Sequence, residues 1–570
     1  MLDYGTGIAY HGTVPTVTAM YSDFVALVPQ ARAAATYVSG AHALKVGFNY
    51  LYNQAEVQNT DNNYGLRYIF YSGFPIGLMQ VAAPFTTHQR GSEVGLYAQD
   101  RWTVKRLTLN LGLRFDQYKT WFPDHKFGPG PLVPTRNFTI PGQDVYNLKD
   151  LSPRLGVVYN VFGTGKTAVR ASANKYTQGY SVGYWNGNPA SPLSGLVPNT
   201  VLNFATRSWF DANQNFVPDC NLALPAANGE CGAMPASFGQ PVINTIVDPK
   251  TLTGWGHRGY NWEFTIGAQQ ELLPRVSVDV AYIRRVYGNF LVTTNRALAP
   301  SDYDRFSVTA PRDTRLPDGG GYVIADLYDL NPRKTVGGIP QDNYQTFSDN
   351  YGEQRLHWHG VDVNVTARPG NLMVAGGFSS GRTLGDNCDV VTKLNNNPST
   401  VTGYFAPTGS IQSTSYCKTS ALLQDYQGTP PSNIFLTQVK GYAAYTIPRI
   451  VVQVAGTLRS LPGLPIAAFR YYTNAEVTPS LGRSLSAGAQ TVSVNLVQPG
   501  TLYSERLNQI DFRVGKLLRF GRTRTAVNLD LFNAFNRDTI LAQSNNYATW
   551  QDAQINLQGR IAKISAQFEF

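Results

Sequence analysis

One segment of the chain has the residue spacing of a calcium-binding loop. Four oxygen-bearing side chains stand at positions 1, 3, 5 and 9 of that pattern: Asp211, Asn213, Asn215 and Asp219. Two other positions depart from it, because Phe216 replaces the glycine of the sharp turn and Leu222 replaces a bidentate glutamate. The segment is therefore either a calcium site or a polar loop that binds no metal.

The remaining candidate groups do not form a catalytic set. His357 and His359 share one face if they lie in a strand, but two ligands are too few to hold a transition metal without a third. No Ser-His-Asp, Cys-His or paired-carboxylate arrangement emerges from the strand positions. We therefore expect that the protein is not an enzyme, and calcium is the one cofactor that the sequence leaves open.

The four cysteines fall into two local pairs. Cys220 and Cys231 lie in one stretch rich in glycine, asparagine, proline and serine, and Cys388 and Cys417 lie in another. Disulfides within such loops are typical of proteins outside the cytoplasm. The spacing favours these two bonds, but four cysteines permit three connectivities and four unpaired thiols remain an alternative.

The composition favours a membrane β-barrel. Only 15% of the 570 residues are charged, against about 25% in soluble domains, whereas 33 tyrosines and 28 phenylalanines are present. No run of about eighteen apolar residues occurs, so helical membrane spans are excluded. The net charge of +10 comes from scattered lysines and arginines, so we expect no nucleic-acid partner.

Alternating side chains identify the strands. Apolar residues take alternate positions in segment 94–104, and after the turn Lys105-Arg106 the leucines of segment 107–115 alternate with mostly polar residues. A period of two places one set on each face of a sheet. Each arm is long enough to cross a bilayer at a tilt, so the two segments form a transmembrane hairpin.

Six more hairpins and a final strand give about fifteen transmembrane strands. The final strand has four alternating apolar residues, which we assign to barrel assembly: Ile564, Ala566, Phe568 and Phe570. A chain that ends on an aromatic residue in such a strand is typical of barrels in the outer membrane of Gram-negative bacteria. We therefore expect an all-β protein, a transmembrane antiparallel β-barrel with about 15–16 strands present, in the cell outer membrane.

Short turns alternate with long loops along the chain. Turns of roughly two to six residues lie at one end of the strands, and loops 179–261, 291–354, 385–433 and 462–507 lie at the other. Outer-membrane barrels have short periplasmic turns and long extracellular loops. We assign residues 1–30 to an extracellular loop and residues 31–570 to the barrel.

Charged strand residues fall on the face opposite to the apolar one. They are Arg114, Asp116, Asp279, Asp362, Arg368, Asp511, Arg513 and Asp530. Such charges are costly against hydrocarbon and are tolerated in a water-filled lumen. We expect them to face the lumen, where solvation and ion pairs within the wall explain each of them better than substrate binding does.

Several segments, taken in order, resemble the barrel of TonB-dependent receptors. The likeness lies in segments 95–103 (GLYAQDRWT), 107–116 (LTLNLGLRFD), 151–156 (LSPRLG) and 528–536 (NLDLFNAFN). The chain is similar in particular to the Oar-like branch, whose members often carry a carboxypeptidase-regulatory-like domain ahead of the plug. The similarity extends from about residue 31 to the final phenylalanine.

The resemblance implies energised uptake of a scarce or large ligand of the siderophore, oligosaccharide or peptide class. In such receptors the TonB complex pulls on a plug domain inside a barrel of about 22 strands. Nothing here resembles a plug, a TonB box or the first strands, so we interpret the chain as the C-terminal part of a receptor. The implied partners are membrane lipid, the TonB complex through the missing plug, the barrel-assembly machinery and an unidentified ligand.

Two other functions remain open. The first is a passive porin-like channel in which the chain closes alone with about sixteen strands. The second is a surface adhesion or structural barrel whose loops bind a partner. Upstream genomic sequence separates the receptor from the channel, and conductance in planar bilayers separates both from an adhesin with a blocked lumen.

Overall fold

The fold is dominated by one large β-sheet. The computed structural model describes residues 2–3, 21–61, 65–71, 73–179, 201–242, 245–336, 338–394, 410–411, 413–418, 434–521 and 523–569. The sheet contains 17 strands. Two of them are accessory. Tyr21–Leu27 pairs with the far end of the strand His42–Thr60, and the short strand Thr253–Trp255 pairs in parallel with Asn147–Lys149.

The other fifteen strands form the barrel wall. They are β1 Gln30–Ser39, β2 His42–Thr60, β3 Phe85–Val104, β4 Leu107–Phe122, β5 Gln143–Asn160, β6 Thr167–Thr177, β7 Tyr260–Leu273, β8 Val276–Gly288, β9 Arg355–Ala367, β10 Leu372–Asp386, β11 Leu436–Ile447, β12 Val452–Leu461, β13 Leu507–Phe520, β14 Thr523–Phe532 and β15 Ile561–Glu569.

Each wall strand pairs with the next one along the chain, always antiparallel. At one end the connections are short; β3 and β4, for example, are joined by Lys105 and Arg106 alone. Lys105 has a φ of +53°, the left-handed geometry that two-residue hairpins need. The predicted antiparallel barrel with short turns is confirmed.

The register of the β3–β4 hairpin shows why the alternation matters. Val104 faces Leu107 and Leu96 faces Phe115, so the apolar residues of both strands lie on one side. Leu96 is 50% exposed, as expected for a surface that meets lipid. Asp116, on the opposite side, is 3% exposed, so the polar face is the covered inner face.

Several wall strands continue beyond the membrane. β2, β3 and β5 contain 19, 20 and 18 residues, whereas about ten are enough to span a bilayer. The far end of β3 is largely buried on its inner face, where Thr87 and Gln89 are each 1% exposed. The strands therefore support folded structure at the end where the long connections lie.

The long connections form small sheets and short helices. Their strands are Leu66–Tyr71, Phe74–Val81, His125–Phe127, Phe138–Ile140, Phe204–Ser208, Thr245–Val247, Leu291–Asn295, Tyr303–Thr309, Val323–Leu330, Asn343–Phe347, Ser410–Ile411, Phe469–Thr473, Thr491–Asn495, Ile540–Gln543 and Ala553–Asn556. The short strand Leu2–Asp3 precedes the wall and pairs with Leu66–Tyr71. The α-helices are α1 Pro249–Leu252, α2 Cys388–Lys393 and α3 Asn474–Leu481. The 3-10 turns are Pro300–Asp302, Pro317–Gly319, Pro332–Lys334, Ser348–Asn350, Thr414–Lys418, Ser486–Gly488 and Tyr547–Thr549. Within the described residues, no helix has the length and apolar character of a membrane span.

One hydrophobic core joins three of these connections. We call this unit the loop cap and define it by residues 303–330, 466–502 and 547–550. Its buried side chains include Phe306, Leu327, Tyr472, Val494 and Trp550, each no more than 3% exposed. The sequence did not predict this core, which packs segments more than 200 residues apart against one another.

The two outermost wall strands are not paired with each other in the described part of the chain. β1 pairs only with β2, and β15 pairs only with β14. The residues of β1 are all exposed. Within the segment 1–30 that the sequence assigns to an extracellular loop, Tyr21–Leu27 forms a strand against Gln54–Thr60, because β2 extends far enough to pair with it.

Candidate functional site: the inner wall and its loops

The inner face of the wall carries a series of ion pairs. Arg114 donates from Nε to Asp116 at 2.8 Å, and Arg513 donates from Nε to Asp530 at 2.5 Å. Asp279 accepts from the guanidinium of Arg170 on a neighbouring hairpin, with Nη2 at 2.8 Å from Oδ1. Five of the predicted lumen-facing charges are therefore engaged within the wall, and Arg170 is a partner that sequence analysis missed.

The other three predicted charges have different surroundings. Asp511 accepts from the backbone N–H of Asn533 at 2.8 Å and from Gln509 at 2.9 Å. Asp362 has the inward parity of β9, and its Oδ1 is buried without a hydrogen bond to any described residue. Arg368 is exposed at the turn that follows β9. Asp511 and Arg368 fit a solvated wall, whereas Asp362 Oδ1 is shielded from solvent.

A cationic cavity of about 670 Å³ lies against the inner face of β1 to β5. Arg32, Lys45, Arg114 and Arg154 line it. Among these four, Arg114 alone forms an ion pair with a carboxylate in the described residues. The cavity therefore keeps a local excess of positive charge and favours anionic groups.

A buried ion pair lies where β3, β4 and β5 leave the membrane. Arg258 donates from Nε to Asp150 at 2.8 Å, and both side chains are 1% exposed. Glu93 is 3.7 Å from Arg258 Nη1, and the guanidinium lies 5.9 Å from the ring centroid of Tyr118. Arg258 precedes β7, so this contact fixes the loop before β7 to the wall.

The candidate calcium loop is closed by its own hydrogen bonds. Asp211 accepts from the backbone N–H groups of Asn215 at 3.1 Å and Phe216 at 3.0 Å. Asp219 Oδ2 accepts from the side-chain amides of Asn213 at 2.6 Å and Asn215 at 3.0 Å. Phe216 takes the left-handed φ of +58° although it is not glycine. The two carboxylates thus accept hydrogen bonds from N–H donors within the loop.

Glu230 supports the same loop from outside the predicted set. Its carboxylate accepts from the backbone N–H of Ala212 at 2.8 Å and from Trp209 Nε1 at 3.2 Å. Partial desolvation acts to raise the pKa of Glu230, but these hydrogen bonds and one from the N–H of Asp219 lower it overall. The spacing of residues after Asp211 does not predict a role for Glu230. The Cys220–Cys231 disulfide brings Glu230 close to the loop that begins at Asp211.

Both local cysteine pairs are joined in the structure. Cys220 is bonded to Cys231 with a Cα–Cα distance of 5.9 Å, and Cys388 to Cys417 with 4.9 Å. Cys231 is buried against Trp209 and Leu78. The first bond closes the loop that follows Asp211, and the second ties α2 to the turn Thr414–Lys418.

Two buried arginines hold the loops above β3 through carbonyl oxygens. Arg136 donates to Gly128 O, Ala82 O and Pro84 O at 2.7, 2.6 and 2.6 Å. Arg207 donates to Gly232 O at 2.7 Å and Ala226 O at 2.9 Å. Burial lowers the pKa of both guanidinium groups. Sequence analysis did not predict the role of these two arginines, because every residue type has a backbone carbonyl and the partners therefore cannot be recognised from the sequence.

The assembly strand places its apolar residues on the outer face. Ile564 pairs with Leu529 and Ala566 with Val527, and Ile564 is 79% exposed. Phe568 is 58% exposed, whereas Phe570 lies outside the described residues. The outer face of β15 therefore continues the apolar surface of β14.

Comparison with known proteins identifies the family and the fold. Residues 20–415 match the profile of a family described as outer membrane beta barrel domain, whereas none of the curated proteins matches. Similar solved structures are the outer membrane transporter YddB from Escherichia coli (11% identity, TM-score 0.49), the ferric-catecholate import receptor Fiu from E. coli (13%, 0.46) and the siderophore receptor PiuA from Acinetobacter baumannii (9%, 0.45).

These similarities cover 96% of the chain in each case, but only 54%, 54% and 56% of those proteins. The chain therefore spans about half the length of the solved structures that it matches. At such low identities the likeness concerns the fold alone.

Proposed function

Because the chain belongs to the outer membrane β-barrel domain family and lies in the outer membrane of a Gram-negative bacterium, we propose that it is the barrel of a TonB-dependent receptor of the Oar-like kind. The function is energised uptake of a ligand too large or too scarce for a porin. The sequence likeness in segments 95–116, 151–156 and 528–536 supports this assignment, and the wall of fifteen strands is compatible with it.

The single observation that carries the proposal is the pair of unpaired outer strands. β1 and β15 both run toward the end with the short turns, so they would meet as parallel neighbours if the described sheet closed on itself. An all-antiparallel ring requires an even number of strands. Unpaired edges are not tolerated in hydrocarbon, so we infer that an odd number of further strands completes the wall. About seven would give the 22 strands of plugged transporters.

The positive charge of the inner wall favours a ligand or a plug surface that carries negative charge. Arg32, Lys45 and Arg154 have no carboxylate partner among the described residues and line one cavity with Arg114. Transport also requires the TonB complex, which would act through a plug domain inside the lumen. The barrel-assembly machinery is the proposed partner of β15.

The reading frame of the gene upstream of Met1 tests this proposal directly. We expect codons for a plug domain and an odd number of further strands in the same frame. A stop codon directly upstream, with no such domain in the mature protein, would overturn the assignment.

Conductance in planar bilayers tests the same proposal by function. We expect the full-length protein to show no steady conductance, because a plug blocks its lumen. Steady ohmic channels would instead support the passive porin-like alternative. The control is a variant of the full-length protein that lacks the plug, and we expect this variant to conduct.

A further inference from the structure

Four protonatable or cationic side chains form a cluster on the outer face of three neighbouring strands. We call Arg284 of β8, His357 and His359 of β9, and Arg382 of β10 the outer-face cluster. Arg284 and Arg382 occupy the positions directly opposite His359 on its two neighbouring strands. The outward direction follows from the alternation, because Val361, Val363 and Val365 continue the same face of β9.

The cluster lies at the upper edge of the apolar band. His359 is eight residues above Ala367, where β9 reaches its short turn. Eight residues cover about 26 Å along a strand, or roughly 20 Å in height at a tilt of about 40°. The apolar band of such barrels is about 25 Å tall. The cluster therefore lies just below the upper edge of that band, where the long side chains of the two arginines reach the outer-leaflet headgroups.

The positive charge of the cluster is not neutralised by the protein. No ion pair in the described residues involves Arg284, Arg382 or either histidine. Asp279 of β8 and Asp362 of β9 have the opposite parity and face the lumen. Asp386, at the upper end of β10, lies opposite Arg355 instead. Unpaired cations on this face require a counter-charge from the membrane.

The contacts within the cluster orient its cations. Arg382 Nε donates to His359 Nε2 at 2.9 Å, and its guanidinium lies 5.0 Å from the ring centroid of Phe435. The ring of His359 is 5.5 Å from that of Phe435 and 6.4 Å from that of Tyr282. The aromatic rings are of the kind that marks the membrane interface. The remaining N–H groups of Arg382 form no hydrogen bond with the described residues and can bind an anion.

We propose that the outer-face cluster binds the phosphate groups of the phosphorylated glycolipid that forms the outer leaflet. Two guanidinium groups on alternate strands supply charge-assisted donors to phosphate oxygens. The inference depends on the location of the protein in the outer membrane and does not depend on what it transports.

Binding of lipid A to the full-length protein in detergent micelles tests the proposal. We expect the double variant Arg284→Ala/Arg382→Ala to bind bisphosphorylated lipid A roughly tenfold or more weakly than the wild type, since two charge-assisted contacts are lost. We expect lipid A stripped of both phosphates to bind the wild-type protein with a similar loss. Heat-modifiable migration in SDS gels checks that each variant is folded.

Two controls keep the result specific. Arg449 is exposed in the short turn between β11 and β12, at the opposite rim of the same sheet, so Arg449→Ala should leave binding unchanged. The variant Arg284→Lys/Arg382→Lys keeps both charges and should retain most of the affinity. Equal binding by the double alanine variant, or equal binding of dephosphorylated lipid A, would overturn the proposal.

Inorganic phosphate distinguishes a lipid site from a site for free anions. We expect millimolar phosphate alone to leave the melting temperature of the wild-type protein unchanged. A rise in melting temperature that disappears in the double alanine variant would show a site for free phosphate, and the glycolipid assignment would be wrong.

Discussion

At the residue scale, buried polar side chains decide how the loops are held to the wall. Arg136, Arg207 and Arg258 are each largely buried, and only Arg258 forms an ion pair with a buried carboxylate. Carbonyl oxygens serve as partners for the other two. A buried cation without partners costs several kcal/mol, so each of these contacts fixes one loop conformation.

His125 makes the loop above β3 sensitive to pH. It is 1% exposed, and its Nε2 accepts from the backbone N–H of His88 at 2.7 Å, so the folded loop requires the neutral imidazole. Burial, with a further contribution from His88, lowers the pKa of His125 to about 4. The folded state binds its proton less readily than the unfolded chain does.

Stability is therefore expected to fall as the pH drops from about 6.5 toward 4, because the unfolded chain takes up the proton first. The variant His125→Gln keeps an acceptor for the His88 N–H and cannot titrate. Its melting temperature should decline less over that interval than that of the wild type. Thermal unfolding at several pH values measures both, and parallel curves would contradict the role of His125.

The buried ion pair is expected to respond unequally to single and double substitution. Arg258→Met leaves Asp150 buried without its partner and should destabilise the protein by about 3–5 kcal/mol. The double variant Arg258→Met/Asp150→Leu removes both charges and should recover much of that loss. Denaturant unfolding of the two variants and of Asp150→Leu provides the cycle. Additive losses would show that the pair is not coupled.

Calorimetric titration tests whether the loop that begins at Asp211 binds calcium. We expect no heat on titration with millimolar calcium, because Asp211 and Asp219 already accept hydrogen bonds from N–H donors. Asp211→Asn/Asp219→Asn is the matched control for any heat that does appear. Saturable binding by the wild type alone would establish a calcium site after all.

At the scale of the elements, the loop cap is a folded unit of its own. Trp550 donates from Nε1 to Ala467 O at 2.9 Å, and its own carbonyl accepts from Arg315 Nη1 at 2.9 Å. Asp313 accepts hydrogen bonds from the side chain and the backbone N–H of Arg315. These bonds from Arg315 keep the pKa of Asp313 well below its usual range. Burial raises the pKa of Tyr322 to about 12. The cap therefore combines an apolar core with a charged rim.

Loss of the central tryptophan should weaken the cap and leave the wall intact. Trp550→Ala removes a side chain that is 1% exposed, which typically costs about 3–5 kcal/mol. We expect faster proteolysis within residues 303–330 and 466–502, with unchanged heat-modifiable migration of the barrel. Phe535→Ala is a control, since Phe535 is 63% exposed. Unchanged proteolysis of the tryptophan variant would show that the cap is held by other contacts.

At the scale of the whole molecule, the sheet has a curved wall and two strands that need neighbours. β15 exposes nearly all of its residues, as β1 does. Exposed edges are sites of aggregation in solution and are excluded from hydrocarbon. Whether β1 and β15 pair with each other or with further strands therefore distinguishes a complete wall from a partial one.

Cysteine cross-linking measures whether β1 and β15 are neighbours in the full-length protein. Ala35 and Val46 are paired across β1 and β2, so Ala35→Cys/Val46→Cys should form a disulfide on oxidation. Ala35→Cys/Ala566→Cys places both cysteines on the outer face, one on β1 and one on β15, and should not form a disulfide, because further strands lie between them. Efficient formation of the second bond would show that the sheet closes by itself, and would contradict the receptor assignment.

The sequence alone determined the wall, because a period of two is a local property. The alternation in 94–104 and 107–115 was sufficient to identify a hairpin, and the short turns and long loops fixed the orientation of the sheet. The same alternation assigned Arg114, Asp116, Asp279 and Asp530 to the inner face before any partner was known.

The tertiary structure decided which residues meet across the loops. Arg315 and Trp550 are 235 residues apart, and Tyr322 donates to Leu496 O across 174 residues. Such contacts depend on how neighbouring strands carry their loops to one end of the barrel, and no local pattern encodes that arrangement. The loop cap, the Arg258–Asp150 pair and the outer-face cluster therefore emerged only from the fold.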